Sequence, residues 1–240
     1  MSKAVVYTGA DPTVNEEEFE VVAEWQDDQD VAVVTVADGL TKIKDSAFYG
    51  CTGLHNLSFL KDSAVTTIGD SAFERSGAAA LWGMEGVRVM GNYAFRCCND
   101  LRTIEGLGCE EMGHSCFAGC ILLQSMKGWP ASITAIPFWT FIGCTGMTTV
   151  DCDLSRVTSI GSNAFWGCTS LLPPSLSADG ADPAAVLAFL KRKSFLERTP
   201  ERRAFLCSLK HAQSNYYNRT GDPCGASRRI IMEFAGLFPA

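Results

Sequence analysis

The residues best suited to chemistry in this chain are its cysteines and histidines, eleven and three in number. Their one dense cluster is Cys109, His114, Cys116 and Cys120. A tetrahedral zinc site needs four such side chains converging, and this spacing matches no usual zinc pattern. Cys97 and Cys98 are adjacent in sequence, and Cys97 is open to oxidation if it reaches solvent. A catalytic nucleophile needs a base within reach, and the histidines are only His55, His114 and His211. Gly-x-Ser-x-Gly, a phosphate-binding glycine loop and His-Glu-x-x-His are all absent from the sequence. The chain therefore reads as non-enzymatic, with no catalytic residues, no metal, no cofactor and no small-molecule substrate expected. Asn218-Arg219-Thr220 is a chance glycosylation sequon, and Lys191-Arg192-Lys193 reads as a solvated helix face.

The elements that hold these cysteines are repeats. Six segments align: Ile43-Lys-Asp-Ser-Ala47-Phe48, Ile68-Gly-Asp-Ser-Ala72-Phe73, Met90-Gly-Asn-Tyr-Ala94-Phe95, Met112-Gly-His-Ser-Cys116-Phe117, Ile136-Pro-Phe-Trp-Thr140-Phe141 and Ile160-Gly-Ser-Asn-Ala164-Phe165. The phenylalanines are 25, 22, 22, 24 and 24 residues apart. Three residues after each stands Cys51, Ser76, Cys98, Cys120, Cys144 or Cys168. Six after comes Leu54, Ala79, Leu101, Leu123, Met147 or Leu171, and nine after comes Leu57, Trp82, Ile104, Met126 or Val150 in the first five. A unit this short cannot bury its apolar side chains alone. Stacking puts Phe on Phe, Cys on Cys and Leu on Leu, so neighbours cover each other. Cysteine at a periodic site reads as a small buried hydrophobe. Glycine after Ile or Met in four units predicts a positive φ there.

The pattern Ile-Gly-x-x-Ala-Phe-x-Gly-Cys-x-x-Leu resembles the BspA-like (Treponema pallidum type) leucine-rich repeat. Phe117-Ala-Gly-Cys120, Phe141-Ile-Gly-Cys144 and Phe165-Trp-Gly-Cys168-Thr-Ser-Leu171 carry the likeness most fully. It covers residues 38–175. The resemblance implies a curved repeat solenoid with a short parallel strand per repeat, and a role in binding other molecules, mostly proteins. Ser76 with its Ala-rich run, Cys116, Thr140 and Pro137 depart from the pattern, so the second and fifth units are expected to be least regular.

Composition bounds the rest. Of 240 residues, 47% are hydrophobic and 20% charged, which excludes a collagen, a coiled coil and a wholly disordered chain. Lys and Arg number 20 against 27 Asp and Glu, a net −7, so nucleic acid and anionic membrane are not expected partners. No apolar run nears the ~18 residues of a membrane span. Many relatives of the resembled kind are exported. Here the start, Met1-Ser2-Lys3-Ala4-Val5-Val6-Tyr7, is polar too soon for a signal peptide, and the odd cysteine count favours reduced thiols. A cytoplasmic location is the expectation.

Residues 1–37 are expected to form an N-terminal cap. Val5–Tyr7 and Val31–Val36 read as strands, and the acid-rich stretch from Asn15 to Trp25 reads as a helix or a strand. Pro173-Pro174 is expected to end the solenoid, with residues 175–182 as a linker. Residues 183–240 read as a helical C-terminal cap or module. Helix starts fall at Asp182-Pro183, Thr199-Pro200 and Ser227, with a loop over 218–225. From Asp182 onward ten basic residues face five acids, whereas residues 1–180 hold ten against 22. The tail therefore offers a second working surface, able to dock on an acidic protein or nucleic acid with the solenoid as spacer.

The first surface is the face of the repeat strands. If the positions six and nine after Phe point inward, those eight and ten after it face solvent. They are Asn56, Ser58, Thr103, Glu105, Ser125, Lys127, Thr149 and Asp151. Varied polar residues on a regular scaffold are what a protein-binding surface requires. Trp139 and Trp166 would be stronger anchors if exposed.

Overall fold

The computed structural model describes residues 3–7, 27, 29–36, 39–61 and 63–198. The chain divides into two compact units, residues 1–194 and 195–240. Only the first is described beyond a helix end, so the stretch from Asn15 to Trp25 and the tail elements from Thr199 onward lie outside the described residues.

The repeats stack as a parallel solenoid. Four of the turns carry two very short strands, where one was expected. The strand before the phenylalanine recurs as β3 (Lys42–Ile43), β4 (Thr67–Ile68), β6 (Val89–Met90), β8 (Glu111–Met112), β10 (Ala135–Ile136) and β12 (Ser159–Ile160). The strand after it recurs as β5 (Ala80–Leu81), β7 (Thr103–Glu105), β9 (Ser125–Lys127) and β11 (Thr149–Asp151). At the amino end β1 (Lys3–Tyr7) pairs in parallel with β2 (Val31–Val36). At the other end α1 (Pro174–Ser177) occupies part of the expected linker, followed by α2 (Pro183–Arg198).

The phenylalanine column joins every turn. Phe48, Phe73, Phe95, Phe117, Phe141 and Phe165 lie with successive ring centroids 5.2, 5.1, 5.9, 5.6 and 5.2 Å apart, near parallel. Offset stacking at this spacing adds to burial. Backbone runs with it: Phe73 N–H donates to Ala94 O at 2.8 Å and Phe95 N–H to Cys116 O at 2.9 Å. The residue before each ring, Ala47, Ala72, Ala94, Cys116, Thr140 or Ala164, is buried.

The cysteines stand beside the rings and have a polar task as well. The Sγ of Cys98, Cys120, Cys144 and Cys168 lies 3.0, 3.2, 3.1 and 3.1 Å from the carbonyl oxygen of Phe73, Phe95, Phe117 and Phe141, one turn earlier. The thiol fills a small apolar space and donates weakly to a buried carbonyl. Ser76 keeps the position polar, 3.5 Å from Cys98 Sγ.

Glycine's role differs from the expected one. Gly69, Gly91, Gly113 and Gly161 do not have positive φ; between them and the phenylalanine the left-handed residue is the one two positions on, Ser46, Ser71, Tyr93, Ser115, Trp139 or Asn163 by turn. What glycine permits is close stacking: a Cβ on Gly113 would sit 2.4 Å from the Asn92 nitrogen, and one on Gly161 2.3 Å from that of Phe138.

The two irregular turns each have a physical cause. In the second, the chain is one residue shorter after Ser76. Ala78, not Ala79, fills the leucine position, and Leu81, not Trp82, points inward: Leu81 pairs with Ile104 and is buried, while Trp82 is 43% exposed. In the fifth, Pro137 replaces the glycine whose N–H bridges to the previous turn, as Gly113 N–H does to Met90 O at 2.7 Å. Proline has no such donor. The sheet β3-β4-β6-β8 ends there, and β10-β12 stands as a separate pair.

Candidate functional site

The second strand column forms one sheet in the order β5-β7-β9-β11. Its middle residues, Leu81, Ile104, Met126 and Val150, are buried. Pleating turns the flanking residues outward. Parallel register then sorts them into two rows: Ala80, Thr103, Ser125 and Thr149 lie side by side, as do Glu105, Lys127 and Asp151. Six of the eight expected surface residues are thus brought together. Asn56 and Ser58 are not on this sheet. Asn56 is exposed and its Oδ1 accepts from Ser58 N–H at 2.8 Å, opening a 3-10 turn over Ser58–Leu60.

The charged row is organised. Lys127 Nζ reaches Glu105 Oε1 at 2.5 Å. Its hydrogen bond to Glu105, helped by the charge of Asp151, holds the ammonium above its ordinary range. An exposed pair of this kind contributes little stability but fixes the two side chains in place.

Sequence reasoning missed one residue of this surface. Trp82 follows Leu81 directly and so comes level with Glu105 in the charged row. Lys61 Nζ lies 5.5 Å from its ring centroid. The one-residue shortening after Ser76 was the available signal, because it moves the inward position from 82 to 81. Trp139 and Trp166 are both 42% exposed, as an anchor requires, but they sit in the phenylalanine turns rather than on the strand face. There Tyr93 meets His114 at 4.6 Å and His114 stacks on Phe138 at 4.5 Å.

The residues considered for chemistry are placed otherwise. Cys109, Cys116 and Cys120 are buried, and Cys116 Sγ donates to Gly91 O at 3.3 Å. Burial pushes the thiols of Cys98, Cys109 and Cys168 up to about 12 and raises those of Cys116, Cys120 and Cys144 well above the ordinary value. A thiol so held is not a nucleophile at neutral pH. His55, expected in a strand, lies outside one; its Nδ1 is 2.9 Å from Gly77 O. Cys97 is half-buried. Among the described residues no group of three or more His, Cys, Asp or Glu side chains is placed to hold a metal.

These thiols tie stability to alkaline pH. The folded chain resists an ionisation that the unfolded chain accepts near the ordinary value of 9.0. Their contribution is fully present below about pH 9 and is lost as pH rises toward about 12. Melting temperature is expected to hold level to about pH 8.5 and then fall, with Cys98→Ala reducing the fall. Melts across that range check it, and an unchanged melting temperature at high pH would contradict the placement of the thiols.

A family model and one solved structure agree with this geometry. The BspA-type leucine-rich repeat model, in six copies, matches residues 26–127 and 88–178. The crystal structure of the Treponema pallidum leucine-rich repeat protein is similar at 19% identity, covering 82% of this chain and 86% of that one with a TM-score of 0.57. A leucine-rich repeat protein from Eubacterium ventriosum is 18% identical over 70% of this chain and 66% of its own, at a TM-score of 0.36. No curated protein matches the sequence. Among the described residues no helix is long and apolar enough to cross a membrane.

Proposed function

The chain belongs to the BspA-type leucine-rich repeat family, and we propose that it is a non-catalytic scaffold that holds a protein partner on the face of β5, β7, β9 and β11. One observation carries this reading. The register of the sheet aligns Glu105, Lys127 and Asp151 in a row with Thr103, Ser125 and Thr149 beside them, and Trp82 follows β5 level with Glu105, between the Leu81–Ile104 pair and the Met84–Leu107 bridge. An aromatic side chain next to ordered charges combines the two features that dominate interface energetics and partner choice. The raised thiols and the scattered histidines favour a scaffold over an enzyme.

The experiment compares the full chain with Trp82→Ala and Lys127→Glu in partner capture, with photo-crosslinkers at positions 103 and 149. Both residues are solvent-facing, so melting should change by no more than about 0.5 kcal/mol. Trp82→Ala is expected to weaken capture about tenfold or more, as loss of a hot spot does. Crosslinks should map to the strand face. A partner held unchanged by both variants, or only through residues 183–240, would refute the assignment.

A further inference from the structure

In the first column β3, β4, β6 and β10 each have two carbonyls, two residues apart, that accept from the next turn; those of β8, which faces Pro137, accept from no described backbone N–H. Thr41 O accepts from Thr66 N–H at 2.8 Å and Ile43 O from Gly69 N–H at 2.9 Å. Thr66 O and Ile68 O accept in turn from Arg88 and Gly91, and Thr134 O and Ile136 O from Thr158 and Gly161. On β12 the equivalent acceptors are Thr158 O and Ile160 O. No described backbone N–H donates to them, and β12 ends its sheet.

Other parts of the last turn are covered. Gly167 N–H donates to Ser177 O of α1 at 2.9 Å, and Ser194 of α2 bonds to Cys152 O. Beside β12 a groove of about 500 Å³ remains, bounded by Thr158, Ser159 and Ile160 on one side and α2 on the other. Ala184, Leu187 and Ala188 make its α2 wall small and apolar. Two charges line it. Asp182 is engaged, accepting from Ala184 and Ala185 N–H at 3.1 and 3.3 Å as the cap of α2. Lys191 has no acidic partner among the described residues.

We propose that this groove takes an extended peptide bearing a carboxylate, which adds to β12 as one more strand. The peptide would donate two N–H groups, spaced two residues apart, to Thr158 O and Ile160 O, as Thr67 and Gly69 donate to Thr41 O and Ile43 O at 3.1 and 2.9 Å and Val89 and Gly91 to Thr66 O and Ile68 O at 3.0 and 2.8 Å. Its alternate side chains would lie against Leu187 and Ala188, and its carboxylate would meet Lys191. Strand addition beside a helix satisfies backbone first and selects by alternate side chains. An unpaired strand edge next to an apolar wall is a template for that mode. The inference stands apart from the strand-face reading, since it uses none of the same residues.

The test uses the full chain and the peptide acetyl-Thr-Val-Thr-Val-Asp-amide, followed by NMR. Shifts are expected at Thr158–Ile160 and along α2 from Ala184 to Lys191. Two methylated peptides carry the methyls on alternate backbone nitrogens, in opposite phases. One phase should lose about tenfold or more in affinity and the other less than about twofold, because only one phase donates inward. Lys191→Glu should weaken the peptide and favour its Lys-ended counterpart. Ala188→Trp should fill the groove and abolish binding. Equal loss in both phases, shifts elsewhere, or indifference to Lys191→Glu would each overturn the proposal.

Discussion

Phe117→Ala should lower the stability of the solenoid by about 3–5 kcal/mol, the usual range for emptying a fully buried phenylalanine site. Phe117 has no solvent exposure and stacks on Phe95 and Phe141 at 5.9 and 5.6 Å. Neither neighbour can collapse into the space, because each is held by the ring beyond it. The backbone of the turn is fixed too, through Phe117 N–H to Thr140 O at 3.0 Å. At about 2–4 °C per kcal/mol for a chain of this size, melting should fall by roughly 10 °C. Since each turn is stabilised by its two neighbours, hydrogen exchange should also quicken in the adjoining turns. A variant that melts with the parent would mean the ring is not part of the core.

Gly113→Ala should be nearly as damaging, although it adds a single methyl to a half-buried position. The new Cβ would stand 2.4 Å from the nitrogen of Asn92 and 2.6 Å from the carbonyl carbon of Gly91. Both are backbone atoms of the previous turn. Asn92 N–H is itself held by Asp70 Oδ1 at 2.8 Å, so it has little room to retreat. The turns must separate, and overpacking of this kind costs about 3 kcal/mol. Gly86→Ala is the matched comparison. Its Cβ would meet only Val65 O, at 3.8 Å, without a positive φ. Substitution there should be neutral or stabilising by about 0.5 kcal/mol through the unfolded chain. Equal melting temperatures for the two variants would contradict the close-stacking account of the repeat glycine.

The fold was legible because the repeat position of each apolar residue follows from its spacing to Phe. That spacing placed five of the cysteines, the six rings and the leucine positions of the regular turns correctly. It failed where one residue was missing. Counting forward from Phe73 carried the inward position to Trp82, when Leu81 fills it. The residue type offered a warning, since Leu57, Ile104, Met126 and Val150 hold that point in four other turns. The glycine reading failed for a different reason. Positive φ and tight approach both select glycine, and only neighbouring turns reveal which one applies. The surface row was partly legible. Alternation about Ile104, Met126 and Val150 marks the outward residues, but the lateral pairing of Glu105 with Lys127 requires the register between turns.

The 22-residue interval that separates Phe73 from Phe95 and Phe95 from Phe117 has a bearing on how such a chain can change in length. Residues 74–95 and 96–117 present the same set of contacts to the turns around them, the Phe stack and the Cys Sγ to Phe O bond recurring from one to the next. Duplicating one such segment would create no interface of a kind not already present. Growth by internal copying would therefore be nearly neutral for this molecule.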